Sequence, residues 1–137
     1  MKAPERFLDT NVLLYLLATD STKADRAEAV VGAGGTISVQ VLNGFAAVAK
    51  RKLGLSWSEI SGILTTIRMV RAVQPISEAT HDLGMAIAVR YGFSIYAGLI
   101  LASASLAGCS ILHSEDLQDG QTIAGVTVRN PFAAVPG

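Results

Sequence analysis

Asp9 and Asp116 are the side chains whose type and setting point most directly to chemistry. Arg6-Phe7-Leu8 reads as a short strand that runs into the polar triplet Asp9-Thr10-Asn11. Ser110-Ile111-Leu112-His113 reads as a second strand, followed by Ser114, Glu115 and Asp116, with Asp119 close behind. In open α/β sheets the ligand crevice lies beyond the carboxyl ends of the strands. If these two strands are parallel neighbours, both aspartates share one edge of the sheet. A pair of hard oxygen ligands there suits Mg²⁺ or Mn²⁺, and Mg²⁺ needs only one or two protein carboxylates when phosphates supply the rest. The same residues also have plain structural readings. Asp9 before a helix is a good N-cap, and the run from Ser114 to Gly120 makes a solvated turn. Pattern alone leaves both readings open.

Other constellations carry less. Gly32-Ala33-Gly34-Gly35 follows a helix rather than a strand and does not match GxGxxG, which argues against dinucleotide binding. Asn11 stands where a DxDxT phosphatase motif needs its second aspartate, and no GxSxG elbow occurs. His81 and His113 lack ligand spacing and read as structural or exposed. Lys50-Arg51-Lys52 lies at a helix end, where it favours the helix dipole or, alternatively, guides a phosphate backbone.

The elements that must position these groups alternate. Helices are expected at Val12–Leu17, Thr22–Val31 and Leu42–Leu53, the last two stopped by Gly32 and Gly54. Ser56 with Glu59 forms a capping-box pattern before the stripe Ile60, Ile63, Leu64, Ile67. Ser77 caps a helix ended by Gly92, and Ser94 or Ile95 opens another that runs to about Leu106. Thr36–Val39 is β-prone, and Thr122 to Val128 holds one or two further strands. Short strands between helices predict a three-layer α/β/α fold around a mainly parallel sheet of four or five strands.

The chain's 137 residues are one domain's worth, with residues 1–132 expected to fold and 133–137 to form a loose tail. Half the residues are apolar and 16% are charged, which excludes global disorder. Eleven basic residues balance eleven acidic ones, so no whole-domain basic footprint for nucleic acid exists. The single Cys109 excludes a disulfide framework and a multi-cysteine metal site, and fits a cytoplasmic compartment. Tyr91 to Leu112 lacks charged residues, but its serines and glycines read as a buried helix and a strand rather than a membrane span.

Four segments together resemble PIN-domain proteins, most closely the VapC toxins of bacterial toxin–antitoxin pairs. They are Phe-Leu-Asp-Thr-Asn-Val-Leu-Leu (7–14), Ile-Ser-Val-Gln-Val-Leu-Asn-Gly-Phe (37–45), Ile-Tyr-Ala-Gly-Leu-Ile-Leu-Ala-Ser-Ala (95–104) and Ile-Leu-His-Ser-Glu-Asp-Leu-Gln-Asp-Gly (111–120). The likeness covers Arg6 to about Phe132. It implies a Mg²⁺- or Mn²⁺-dependent endoribonuclease with about four clustered acids, a cognate antitoxin and a homodimer. The first acid falls on Asp9 and the last on Asp116. Thr10, Asn11 and Ser114 match supporting polar positions, with Glu115 and Asp119 as further polar neighbours. The second acid falls on Gly44 and the third on Ala97, so two of the four are missing.

That departure predicts weak or absent nuclease activity. A carboxylate about 4 Å from a cation is worth up to roughly 4 kcal/mol per unit charge at an effective dielectric of about 20. Losing two weakens metal binding by several factors of ten, and Glu115 or Asp119 is not expected to compensate, since neither matches a family acid position. Gly44 and Gly98 inside helices would each cost roughly 0.8–1 kcal/mol against Ala, which reads as a degenerated or silenced site rather than selection for stability. An antitoxin that points a basic side chain at the acids would bind more weakly and with less salt sensitivity than in an intact relative. The alternative is a non-catalytic module that still binds antitoxin, a dimer mate or RNA. An unrelated small phosphatase-like enzyme is the remaining alternative.

Overall fold

The computed structural model describes residues 5–133 and alternates strands with helices as the patterning predicts. β1 (Arg6–Leu8) leads into α1 (Thr10–Leu14), which a 3-10 turn at Tyr15–Leu17 extends, and then into α2 (Ser21–Gly32). β2 (Thr36–Ser38) feeds α3 (Val39–Arg51) and α4 (Trp57–Val70). β3 (Ala72–Gln74), α5 (Glu78–Tyr91), α6 (Ile95–Leu106) and β4 (Ile111–His113) follow, and β5 (Thr122–Ile123) and β6 (Val126–Arg129) close the sheet. The expected tail lies, apart from Ala133, outside the described residues, as do residues 1–4.

The sheet has six strands in the order β3-β2-β1-β4-β6-β5, one more than the upper end of the sequence reading. All pairs are parallel except β5 with β6. The strand that was missed is β3. It has three residues, one of them strongly β-prone, and it pairs only with β2 at the edge, so no alternating pattern marks it. Phe7, Leu8, Ile37, Leu112 and Val128 from the strands are buried against Val12, Phe45 and Leu101 from the helices.

Serines and aspartates start the helices by taking amide protons that have no partner within the helix. Asp20 accepts from the Thr22 amide, Ser38 from Val41, and Ser94 from Ala97. Ser56 and Glu59 form the predicted reciprocal capping box. The Ser38 cap explains why α3 starts at Val39 rather than Leu42: the residue that ends β2 caps the helix directly, so β-prone Val39 becomes its first turn. Gly92 takes the left-handed conformation, φ 70°, that ends α5. The uncharged stretch before Leu112 divides into α6 and β4, and among the described residues no helix is long and apolar enough to cross a membrane.

α5 and α6 pack through glycine. A Cβ on Gly98 would lie 2.3 Å from the Gly84 carbonyl oxygen, and one on Gly84 would lie 2.8 Å from Leu99 Cδ2 and 3.2 Å from the Leu99 amide nitrogen. Gly98 is therefore required by a close helix crossing, and its propensity cost is offset by packing. That corrects the reading of Gly98 as a mere liability.

Candidate functional site

The acid pair is assembled by strand order. β1 is central: β2 and β3 continue on one side of it and β4 lies on the other, so the chain reverses direction across the sheet between β1 and β4. Such a switch point opens a crevice at the strand carboxyl ends. Leu8 is in register with His113, and the Asp9 amide donates to the His113 carbonyl at 3.0 Å. Asp9 and the loop after β4 are thereby placed side by side.

Ser114 is the joint between them. Its fully buried hydroxyl donates to Asp9 Oδ2 at 2.8 Å and accepts from the Asp116 amide at 3.1 Å. Asn11 Nδ2 donates to Asp116 Oδ2 at 3.1 Å and approaches Ser114 Oγ at 3.4 Å. Asp9 Oδ1 accepts from the Thr10 amide at 2.7 Å, so the capping reading holds as well as the convergence. Asp9 is 8% exposed. Burial pushes its carboxyl above the ordinary carboxylate value; the Ser114 hydroxyl and the Thr10 amide pull it back, and the Asp116 charge raises it further.

Both aspartates face one cavity of about 670 Å³. Thr10, Gln40, Asn43 and Ser94 supply its other polar lining, while Ile76, Tyr96, Leu99, Ile100 and Leu117 make an apolar wall. Gly44 from α3 and Ala97 from α6 line the same cavity. The two positions that carry no acid thus lie in the same space as the two that do. A Cβ at Gly44 would meet Thr10 Oγ1 at 2.9 Å, so a longer side chain there requires that hydroxyl to swing aside.

Two of the expected polar neighbours are used elsewhere. Glu115 accepts a short hydrogen bond from the Tyr15 phenol, which itself accepts from Lys23 Nζ at 3.1 Å. Asp119 Oδ1 accepts from the Asn130 amide at 2.9 Å and fastens the turn before β6. Neither lines the cavity. His81 is exposed on α5 and His113 is half-buried in β4, also away from it. Sequence reasoning missed Gln40, Asn43 and Tyr96 as wall residues. Their signal was position: Gln40 and Gly44 lie one turn apart on α3, and Tyr96 directly precedes Ala97.

No cluster of three His, Cys, Asp or Glu suited to a metal occurs among the described residues. The donors present fit a hydrated divalent ion held by Asp9 and Asp116 that needs phosphate oxygens to complete its shell, and they do not form a protein cage.

A mainly parallel α/β sheet with two aspartates side by side at its switch point defines the class of fold. The chain belongs to the PIN domain family, whose model matches residues 6–118. Its fold is VapC-like. A toxin–antitoxin complex from Klebsiella pneumoniae superposes with a TM-score of 0.72 at 20% identity, over 93% of this chain and 98% of that one. VapC20 of Mycobacterium tuberculosis, a sarcin–ricin loop cleaving toxin, gives 0.68 at 15% identity over 88% and 98%. FitAcB from Neisseria gonorrhoeae gives 0.66 at 18% over 93% and 99%. No curated protein matches the chain in sequence.

Proposed function

We propose that the chain is a VapC-like toxin domain of the cytoplasm whose divalent-metal-dependent endoribonuclease activity is impaired or absent. A cognate antitoxin and a second copy of the chain are its proposed partners. One observation carries the reading: Gly44 and Ala97 face the same cavity as Asp9 and Asp116, yet bring no carboxylate to it. The solved toxin–antitoxin complex of matching fold supports the partner.

Asp9 and Asp116 would hold the ion, which when bound polarises a phosphodiester and lowers the pKa of a water. Ser114 would orient the Asp9 carboxylate through its hydroxyl and hold the backbone of Asp116 beside it. Asn11 fixes the outer oxygen of Asp116. Burial favours the protonated form of Asp9. That opposes cation binding further, because a protonated carboxyl is a poor ligand. The apolar wall adds no charge to the cavity.

The test compares the chain with Gly44→Glu/Ala97→Asp, following RNA cleavage with Mn²⁺ or Mg²⁺ and, separately, Mn²⁺ binding by calorimetry. The double variant should bind Mn²⁺ about a hundredfold more tightly, at about 1.4 kcal/mol per tenfold, and should cut RNA where the parent is slow. Brisk cutting by the parent, abolished by Asp9→Ala, would overturn the impaired-site reading. If neither cuts while RNA or antitoxin is still bound, the non-catalytic module is the better description.

A further inference from the structure

The loop after β4 is tied to the start of the chain at three consecutive residues. Ser114 donates to Asp9, Asn11 donates to Asp116, and between them the Tyr15 phenol donates to Glu115. Asn11 and Tyr15 are four residues apart, across α1 and its 3-10 extension, so both fall on one side of a continuous helical turn. Asp116 lines the aspartate cavity and Glu115 does not. Asp116 is exposed, so its carboxylate depends on Asn11 and on its own backbone to stay beside Asp9.

Tyr15 is itself held from two further sides. Its ring meets buried Phe132 edge-on, with centroids 4.5 Å apart. Lys23 Nζ donates to its oxygen at 3.1 Å and stands 4.5 Å from the ring centroid. A lysine ammonium offers donors only, so it takes an acceptor site of the phenol and leaves the one phenolic proton for Glu115. The hydrogen bond to Glu115 raises the phenol's pKa above its ordinary value, which keeps it a donor. A hydrogen bond with an ionised acceptor is roughly twice as strong as a neutral one.

We propose that Tyr15 is a positioning residue for Asp116 that acts through Glu115: it pins the backbone between Ser114 and Asp116, so that Asp116 stays turned to the cavity beside Asp9. With Asp9 and Asp116 read as the ion's holders, as proposed above, Tyr15 sets the geometry of a site whose cavity it does not line. Without the phenol's bond, the peptide units on either side of Glu115 can turn together, and the Asp116 amide leaves the Ser114 hydroxyl. The same bond opposes a different role for Glu115, that of a mobile carboxylate that swings to the ion.

The test compares the full chain with Tyr15→Phe and Glu115→Gln. Phenylalanine keeps the ring against Phe132 and loses only the hydroxyl. Glutamine keeps an acceptor for the phenol and loses only the charge. The first measurement is amide exchange by NMR without metal. The Asp116 amide, which donates to Ser114 Oγ, should exchange about tenfold faster in Tyr15→Phe and at the parent's rate in Glu115→Gln. Rates are taken relative to the amide of buried Cys109, bonded to the Ala104 carbonyl at 2.9 Å, which corrects for global loosening. The second measurement is Mn²⁺ binding by calorimetry, which should weaken about tenfold in Tyr15→Phe and stay within about twofold of the parent in Glu115→Gln. Equal relative Asp116 exchange in the parent and Tyr15→Phe would overturn the proposal. So would a Glu115→Gln that changes as much as Tyr15→Phe, because the charge of Glu115 and not its position would then matter. Tighter Mn²⁺ binding by Tyr15→Phe would overturn it too, because Tyr15 would then be withholding Glu115 from the ion. If the parent binds no Mn²⁺, the ion-site reading fails, and the exchange rates alone decide whether Tyr15 positions Asp116.

Discussion

Gly98→Ala tests how the wall of the cavity is held. The new Cβ would lie 2.3 Å from the Gly84 carbonyl oxygen and 3.3 Å from Ala88 Cβ. An ordinary carbon–oxygen contact is about 1 Å longer. The obstacle is backbone, so no rotamer change relieves it and α5 and α6 must part. Overpacking costs about 1–3 kcal/mol, and a backbone clash belongs at the upper end. The helix propensity of alanine returns about 1 kcal/mol, leaving a net loss of about 2 kcal/mol. With an unfolding entropy of about 2.1 cal/mol/K per residue, 137 residues give about 0.29 kcal/mol/K. The melting midpoint should therefore fall by about 7 °C. Gly62→Ala is the control, since Gly62 is exposed within α4 and a Cβ there would meet nothing within 4 Å. It should raise the midpoint by about 2–3 °C through propensity alone. Calorimetry on the two variants and the parent reads both signs. If Gly98→Ala melts at or above the parent while Gly62→Ala behaves as expected, the helices separate freely. The claim that Gly98 is required by the close crossing of α5 and α6 would then be wrong.

Asp9 gives the pH dependence. Its folded-state pKa is raised by burial first, so the folded chain holds this proton more tightly than the unfolded one. The stability linked to it is fully present below the unfolded value of about 3.9 and declines as pH rises through the folded value. Relative to Asp9→Asn, the parent should be more stable in acid than at neutrality in urea titrations, and a pH-independent difference would refute the assignment. Ser114→Ala removes the hydroxyl that joins both aspartates and leaves a buried Asp9 oxygen without its donor. It should cost about 2 kcal/mol and move the Asp9 carboxyl resonance to titrate at still higher pH. An unmoved titration would show that Ser114 does not hold that charge.

The fold was legible where short-range chemistry decides it. Ser56 with Glu59, Ser77 and Ser94 mark helix starts because a cap is satisfied within three residues of itself. Buried Phe7, Leu8 and Leu112 announce strands by composition. β3 stayed hidden because three residues at a sheet edge owe their conformation to β2, not to their own pattern. The Asp9–Asp116 pairing was legible only conditionally, as a consequence of parallel neighbours. That condition is met by the β1–β4 ladder. The displacement of Glu115 toward Tyr15 and of Asp119 toward Asn130 had no local signal, since each partner comes from a distant segment or a turn geometry set by β6.

By itself the sequence determined which groups are available: two aspartates after strands, serines to cap and bridge, and no acid at Gly44 or Ala97. Tertiary structure decided which of them meet. Ser114 and Asp9 are 105 positions apart and bond only because β4 lies beside β1. Gly98 looks costly in an isolated helix and becomes necessary only when α5 presses its backbone to within contact. Local preferences act over a few bonds, while the site depends on which strand is packed next to which.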